Sequence, residues 1–186
     1  GLRLVLAHRS AMAALGVALL IGGANELVNI VFGLWLEGTF GLQVAALGLA
    51  STVIGVSELS GEGLVATLTD RLGMKRAVAL GLVACIVSSV ALPVLGRTLP
   101  GALVGLFLFY ISFEFAYVSF VSLLTELRPG ARATLMAGNI AAVSLGRVGG
   151  ALLGPVLFRA GLLANGGASA AANVLAILLL VVFVRL

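Results

Sequence analysis

Six long apolar stretches fill nearly all of this chain of 186 residues. The hydrocarbon core of a bilayer is about 30 Å thick, so a spanning helix needs about 20 predominantly apolar residues. Six segments qualify, at roughly 11–36, 43–68, 77–95, 99–125, 133–158 and 167–184. Pro100, Pro129 and the pair Gly166–Gly167 fall at their boundaries, where helix breakers are expected. Because the loops are short, residues 1–186 are predicted to form a single six-helix transmembrane domain.

The composition excludes most soluble folds. Hydrophobic residues make up 61% of the chain and charged residues 10%, whereas a soluble domain carries about 25% charge. The short alternating strands of a membrane barrel are absent from the sequence, so the predicted fold class is all-α. We therefore expect an integral membrane protein that contacts the lipid bilayer, in the plasma membrane of a bacterium or archaeon. The net charge of +4 is not read as a nucleic-acid signal.

The positions of the basic residues predict the orientation. If the N-terminus is cytoplasmic, only Arg97 and Arg159 lie outside, and Arg147 lies within a span. The other basic residues then lie inside, namely Arg3, Arg9, Arg71, Lys75, Arg76, Arg128, Arg132 and Arg185. Cytoplasmic loops carry an excess of Lys and Arg, so both termini are predicted to be cytoplasmic.

Polar residues are distributed unevenly among the spans. The first, second, fourth and fifth spans carry, in turn, Asn25, Glu26 and Asn29; Glu58 and Glu62; Glu114; and Asn139 and Arg147. The third and sixth have uncharged interiors and are expected to face lipid. The order polar, polar, apolar thus occurs twice, which suggests two three-helix units. An odd number of helices per unit makes such units inverted repeats.

The buried charges are the candidate site. A charge at the bilayer centre costs about 2.5–3.5 kcal/mol on insertion scales, so it normally faces protein or a water-filled cavity. Asn25, Glu26 and Asn29 share one helix face, and Glu114 lies near the middle of its span. Our hypothesis is that these four residues form a substrate or proton pathway with Arg147 as counter-charge. The alternative is that they form structural pairs only.

Small residues recur along the fifth span. Gly146, Gly150 and Gly154 lie four residues apart, with Gly149 between them, and Pro155 follows. Small residues at this spacing let helix backbones approach closely, so helix packing is predicted, with a gating bend as the alternative.

The loop after the second span, residues 70–76, resembles the signature loop of the major facilitator superfamily. The family pattern is approximately G-x-x-x-D-R-x-G-x-R/K-R/K. The matching residues are Asp70, Arg71, Gly73, Lys75 and Arg76, and Ala66 stands where the leading glycine is expected. The loop at 126–133, with its acid, proline and arginine, is similar to the corresponding family loop, and 150–155 is similar to part of an antiporter element.

This resemblance implies a six-helix half of a transporter, whose partner would be the other six-helix half. We favour the C-terminal half, because the chain opens without Met on an Arg-containing segment like the end of a central loop. It also implies that the first and fourth helices line a central cavity, and that the motif acid engages the start of the fifth helix. The implied cytoplasmic latch consists of Asp70, Arg71, Glu126 and Arg132. Alternatively, these residues anchor the loops at the headgroups.

The predicted function is a secondary active transporter that moves a small solute by alternating access, for example by proton-coupled efflux. The alternatives are a six-helix oligomeric channel and a non-transporting scaffold. No enzyme activity is expected, because an intramembrane serine protease needs a Ser–His pair and the only histidine, His8, lies outside the spans. No cofactor or metal is predicted, and the single cysteine, Cys85, is interpreted as a packing residue.

Overall fold

The computed structural model describes residues 8–184, apart from the side chains of Ala45 and Leu49. Arg3 and Arg185, counted above as cytoplasmic, lie outside this range. The helices are α1 (Arg9–Asn29), α2 (Phe32–Phe40), α3 (Val44–Leu72), α4 (Met74–Leu95), α5 (Leu99–Leu127), α6 (Arg132–Phe158) and α7 (Leu162–Phe183). A 3-10 turn, Pro129–Ala131, precedes α6. Residues 8–184 contain no strand, so the all-α prediction is confirmed.

Five helical segments in the described range are long and apolar enough to cross a membrane. They are Arg9–Phe40, Met74–Leu95, Leu99–Leu127, Pro129–Phe158 and Leu162–Phe183. Helix α3 coincides with the second predicted span and is 29 residues long, but it is not one of these five. Long apolar helices of this kind are typical of a membrane protein.

The pair Gly166–Gly167 does not break a helix, contrary to the sequence prediction. It lies inside α7, which begins at Leu162, after Gly161 has adopted a positive φ of 101°. A side chain at Gly166 would overlap the backbone carbonyl of Ser89 in α4. This glycine therefore permits a close helix contact, and Gly161 makes the turn.

The first predicted span is interrupted between α1 and α2, which the sequence analysis did not anticipate. At the break, the Val31 N–H donates to the carbonyl of Val28 at 3.2 Å. The carbonyl of Leu27 instead accepts from Asn165 Nδ2 of α7 at 2.7 Å. The same amide donates to the carbonyl of Gly154 in α6 at 2.9 Å. Asn165 thus satisfies a carbonyl freed by the break and ties three helices together.

The helices pack in a regular pattern. Helix α1 packs on α6 and α7, helix α5 packs on α3 and α4, and α4 packs on α7. The contact between α1 and α6 is a glycine seam, in which Gly146 lies against the backbone of Leu19, and Gly150 lies against Gly23. Outside the local backbone of α6, no described atom lies within 4 Å of the position that a Cβ at Gly149 would take. The helix-packing interpretation therefore holds for Gly146 and Gly150 but not for Gly149.

Two apolar clusters fill the ends of the bundle. One includes Phe120, Leu135 and Leu180, and the other includes Leu36 and Leu106. Buried polar residues, among them Asn25 and Glu26, lie at the middle of the bundle between them. In α1, Ile21 belongs to the first cluster and Val28 to the second, so Asn25 and Glu26 lie between the two clusters.

The loops predicted to be cytoplasmic meet at one end of the bundle. Ser10 Oγ donates to the Phe183 carbonyl at 2.9 Å, and Lys75 Nζ donates to the Val184 carbonyl at 2.7 Å. Ala131, beside α6, belongs to the same apolar cluster as Val184. The starts of α1, α4 and α6 therefore lie at the end where α7 finishes.

Candidate functional site

A polar cavity of about 260 Å³ lies at the middle of the bundle. Its polar lining residues are Asn25 and Asn29 of α1, Glu58 of α3, Tyr110, Glu114 and Tyr117 of α5, and Arg147 of α6. Neither α4 nor α7 contributes a lining residue. The cavity therefore draws on the four spans whose polar residues were selected from the sequence.

An ion pair crosses from α6 to α1 beside the cavity. Arg147 Nε donates to Glu26 Oε2 at 2.8 Å, where the Glu26 side chain is 9% exposed and that of Arg147 is 54% exposed. A bond between a guanidinium and a carboxylate is charge-assisted and hence stronger than a neutral one. Arg147 is therefore the counter-charge of Glu26.

Two further side chains orient the Glu26 carboxylate. Asn29 Nδ2 donates to Glu26 Oε1 at 3.3 Å, and the Tyr110 hydroxyl of α5 donates to Asn29 Oδ1 at 2.7 Å. The chain of bonds thus runs from α6 through α1 to α5. Both Glu26 oxygens are occupied, so this carboxylate is fully compensated without any ligand.

Aromatic side chains of α5 also line the cavity. Phe113 and Tyr117 are stacked, with ring centroids 5.8 Å apart. Asn139 Nδ2 of α6 donates to the Tyr117 hydroxyl at 3.3 Å and so fixes this ring. Together with Tyr110, these rings give the cavity an aromatic side next to its charged residues.

Glu114, the other acidic candidate, is not paired in this way. It lines the same cavity as Glu58, and within residues 8–184 neither carboxylate forms a hydrogen bond or an ion pair. The Asn25 side chain is also in the lining, and its buried Oδ1 atom has no hydrogen-bond partner in the part of the chain that the structure describes. The carboxylate of Glu26 is therefore paired with other side chains of the chain, whereas the carboxylates of Glu58 and Glu114 and the Asn25 Oδ1 are not.

Glu26 and Glu114 are packed in matching ways. A Cβ at Gly150 of α6 would lie 2.7 Å from the Cβ of Glu26. A Cβ at Gly61 of α3 would likewise lie 2.7 Å from the Cβ of Glu114. In each case a glycine lets the neighbouring helix approach an acidic residue at the centre of the bundle.

The 70–76 loop makes a tight turn at Gly73. Gly73 adopts a positive φ of 81°, which favours glycine, and its N–H donates to the Thr69 carbonyl at 2.9 Å. Asp70, Arg71 and Arg76 are exposed. Within the described part of the chain, neither Asp70 nor Arg71 takes part in an ion pair.

Among the described residues, one contact of the predicted latch network is present. Arg132 Nη2 lies 3.3 Å from Glu126 Oε1, and both side chains are about half exposed. Arg132 Nε also donates to the Thr125 carbonyl at 2.9 Å. Asp70 and Arg71 are not joined to this pair. Exposed ion pairs contribute about 0–1 kcal/mol, so this contact orients the loop more than it stabilises the fold.

Lys75 is the motif residue with the most extensive contacts. Its Nζ donates to the carbonyls of Val181 at 3.2 Å and Val184 at 2.7 Å.

A cation at a helix C-terminus stabilises by about 0.3–1 kcal/mol, so we expect Lys75→Met to lower the free energy of unfolding by that amount. Titration with SDS in mixed micelles, followed by circular dichroism, measures the change. The exposed neighbour Arg76 is the matched control, and an equal loss in Arg76→Met would contradict the capping role.

Tyr110, Tyr117 and Asn165 were missed by the sequence analysis. Tyr110 lies four residues before Glu114 and Tyr117 lies three residues after it, so helical periodicity places both tyrosines on the same face of the helix as Glu114. That spacing is a signal which could have identified them. The role of Asn165 depends on the break in α1, for which the sequence offers no clear mark.

No protein-family model matches this chain, and no curated protein matches it either. The function is therefore argued from the cavity. Its carboxylates, amides, hydroxyls and guanidinium can bind a small polar or charged solute, or exchange protons with one.

Proposed function

We propose that the chain is one six-helix half of a secondary transporter of the major facilitator type, moving a small solute by alternating access. The observation that carries this proposal is the polar cavity in the middle of long apolar helices, whose described lining residues belong to α1, α3, α5 and α6. Ionisable groups at this depth are costly and typically mark substrate or ion pathways.

The packing pattern supports two related three-helix units. The units are α1, α3 and α4, and then α5, α6 and α7, with α2 counted as the continuation of α1. Exchanging α1 with α5, α3 with α6, and α4 with α7 leaves the main contacts unchanged: α1 on α6 becomes α5 on α3, and α1 on α7 becomes α5 on α4. The contact of α4 with α7 maps onto itself. Units of three helices related in this way are inverted repeats, which many transporter folds share.

The exposure of polar side chains supports a further protein partner in the membrane. The Arg147 side chain is 54% exposed although it lies at the depth of the cavity. Glu62 of α3 is exposed as well. Lipid would solvate these groups poorly, so a second six-helix half is the proposed cover. Copies of this chain around a channel would also cover them, but acids scattered over several helices do not form the single ring typical of a channel.

The end of the bundle at which α7 finishes is proposed to face the cytoplasm. The basic residues there are Arg9, Arg71, Lys75, Arg76, Arg128 and Arg132, whereas Arg97 and Arg159 lie at the other end. This asymmetry follows the positive-inside tendency. The 70–76 loop would then be the cytoplasmic loop that its resemblance to the facilitator signature implies.

Transport in proteoliposomes tests the proposal. The protein made from the complete reading frame is reconstituted, a pH gradient is imposed, and a panel of cationic, anionic and neutral solutes is screened with a luminal pH dye. We expect at least one solute to move protons, and Glu114→Gln to abolish this flux, because Gln cannot carry a proton.

Glu37→Gln is the matched control, since Glu37 is exposed on α2 and does not line the cavity. It makes the same change of charge and is expected to leave the flux unaltered. An ion current that needs no solute would favour the channel alternative. Transport that is unchanged in Glu114→Gln at every pH would remove this residue from the mechanism.

A further inference from the structure

The two matched positions on α3 and α6 carry opposite charges. Arg147 lies three residues before Gly150, the glycine that packs against Glu26. Glu58 lies three residues before Gly61, the glycine that packs against Glu114. The exchange of helices described above therefore places Glu58 at the position equivalent to Arg147. Arg147 of the second unit thus supplies a guanidinium to Glu26, the central acid of the first unit. The equivalent position in the first unit, Glu58, instead places a second carboxylate in the cavity with Glu114, the central acid of the second unit.

The charges around the cavity do not balance. Arg147 is the one basic residue among its described lining residues, and its Nε is bound to Glu26. Three carboxylates, those of Glu26, Glu58 and Glu114, thus lie around the cavity with one guanidinium, which is paired to Glu26. Uncompensated carboxylates in a low-dielectric site are costly, and they favour the uptake of positive charge.

An independent observation points to a ligand at the same place. The Asn25 side chain lines the cavity, the residue is only 8% exposed, and its Oδ1 has no hydrogen-bond partner among residues 8–184. Buried acceptors are nearly always paired in folded proteins. An unpaired acceptor beside two unpaired carboxylates is suited to a donor or a cation supplied from outside the chain.

The rest of the lining favours an organic cation over a bare metal ion. Tyr110, Phe113 and Tyr117 line the cavity beside the carboxylates. Aromatic faces attract ammonium groups, and they are poor ligands for sodium, which is bound by oxygen atoms. The volume of about 260 Å³ suits a small organic group more than a single ion.

From these observations we infer that Glu58, Glu114 and Asn25 bind the positive group of the transported solute, which is an organic cation such as an amine or a quaternary ammonium compound. The cation lies beside Glu114 as the Arg147 guanidinium lies beside Glu26. Arg147, Glu26, Tyr110 and Tyr117 are the other charged or titratable side chains around this site, and Glu62 lies one turn farther along α3. This inference rests on the proposed transport function and names its substrate class.

Equilibrium binding of a charged probe and its neutral isostere tests the inference. The protein made from the complete reading frame is titrated calorimetrically in detergent and potassium phosphate, with choline and with dimethylbutanol, in which carbon replaces the charged nitrogen. We expect choline to bind at least about tenfold more tightly than the isostere. Glu58→Gln and Glu114→Gln should each weaken choline binding by about tenfold or more, whereas the exposed control Glu37→Gln should not.

The variant Glu58→Arg provides a test that does not depend on loss of structure. It supplies the missing guanidinium from α3, as Arg147 does from α6, so it should abolish choline binding while the thermal unfolding temperature is kept or raised. Equal binding of choline and the isostere, or choline binding that survives both Gln variants, would overturn the inference.

Sodium and protons are separate arms of the same experiment. Sodium that binds and is lost in Glu58→Gln, with no choline binding, would make this an inorganic ion site and overturn the organic substrate. Release of protons from this site, with no binding of choline, would likewise overturn the organic substrate. These results leave the transport proposal standing, whereas a proteoliposome screen in which no solute of any charge moves would overturn transport itself.

Discussion

Replacing Arg147 with methionine is expected to destabilise the protein by about 3 kcal/mol. Removing one partner of a buried ion pair typically costs about 3–5 kcal/mol, because the other charge remains buried and unpaired. The Glu26 side chain is 9% exposed, but that of Arg147 is 54% exposed, which places the effect at the lower end of this range. Unfolding by SDS in mixed micelles, followed by circular dichroism, measures the loss.

The double variant Arg147→Met with Glu26→Gln separates this explanation from a simple loss of packing. Gln removes the orphaned charge, so most of the lost stability should return. Arg132→Met is the matched control: its partner Glu126 is half exposed, and a change of about 0–1 kcal/mol is expected. A double variant that is no more stable than Arg147→Met would contradict the ion-pair explanation.

The second large effect is expected at the glycine seam. A methyl group at Gly146 would overlap the Leu19 carbonyl and lie 2.9 Å from the Gly23 nitrogen, so α1 and α6 would have to separate. Overpacking of this kind costs about 1–3 kcal/mol or more. We therefore expect Gly146→Ala to lower the free energy of unfolding by about 3 kcal/mol. Unfolding by SDS in mixed micelles, followed by circular dichroism, again measures the change.

Gly149→Ala is the control for this substitution. It makes the same chemical change in the same helix, but outside the local backbone of α6 no described atom lies within 4 Å of the new methyl group. Alanine is favoured over glycine in a helix by about 0.8–1.0 kcal/mol, so Gly149→Ala should be neutral or slightly stabilising. If both substitutions had the same effect, the close contact between α1 and α6 would be wrong.

The sequence could predict the helices and much of the cavity because both follow from the cost of burial in lipid. Stretches of about 20 apolar residues have few alternatives to a spanning helix. Polar residues at the same depth must turn away from lipid, so Glu26 and Arg147 could be expected to meet. Gly73 was likewise predictable, because a tight turn with positive φ favours glycine.

The features that the sequence did not predict depend on contacts between distant segments. The break between α1 and α2 is stabilised by Asn165, which lies far along the chain. Gly166 is a residue type that often breaks helices, but here it lies inside α7, where the absence of a side chain lets α7 pack against the backbone of Ser89. Asp70 was predicted to join the latch with Glu126, and such an exposed contact is too weak for spacing alone to specify.

The equivalence of Glu58 and Arg147 also required the structure. The two halves do not visibly align in sequence, and only the matching positions of Gly61 and Gly150 against Glu114 and Glu26 relate them. From the sequence alone, Glu58 was one of two acids on the same helix face. Helix packing distinguishes it by placing it in the cavity lining.

The most direct test of the central claim is whether water reaches the cavity. Val143, in the lining, is replaced with cysteine after the buried Cys85 has been changed to alanine, and vesicles of both orientations are treated with a charged methanethiosulfonate. Thiolates form only in contact with water, so Val143→Cys should react at least about tenfold faster than Leu175→Cys. Leu175 is an outward-facing residue of α7 that is 53% exposed. A cysteine at position 143 that reacts from neither side, or no faster than one at position 175, would contradict an aqueous pathway through this bundle.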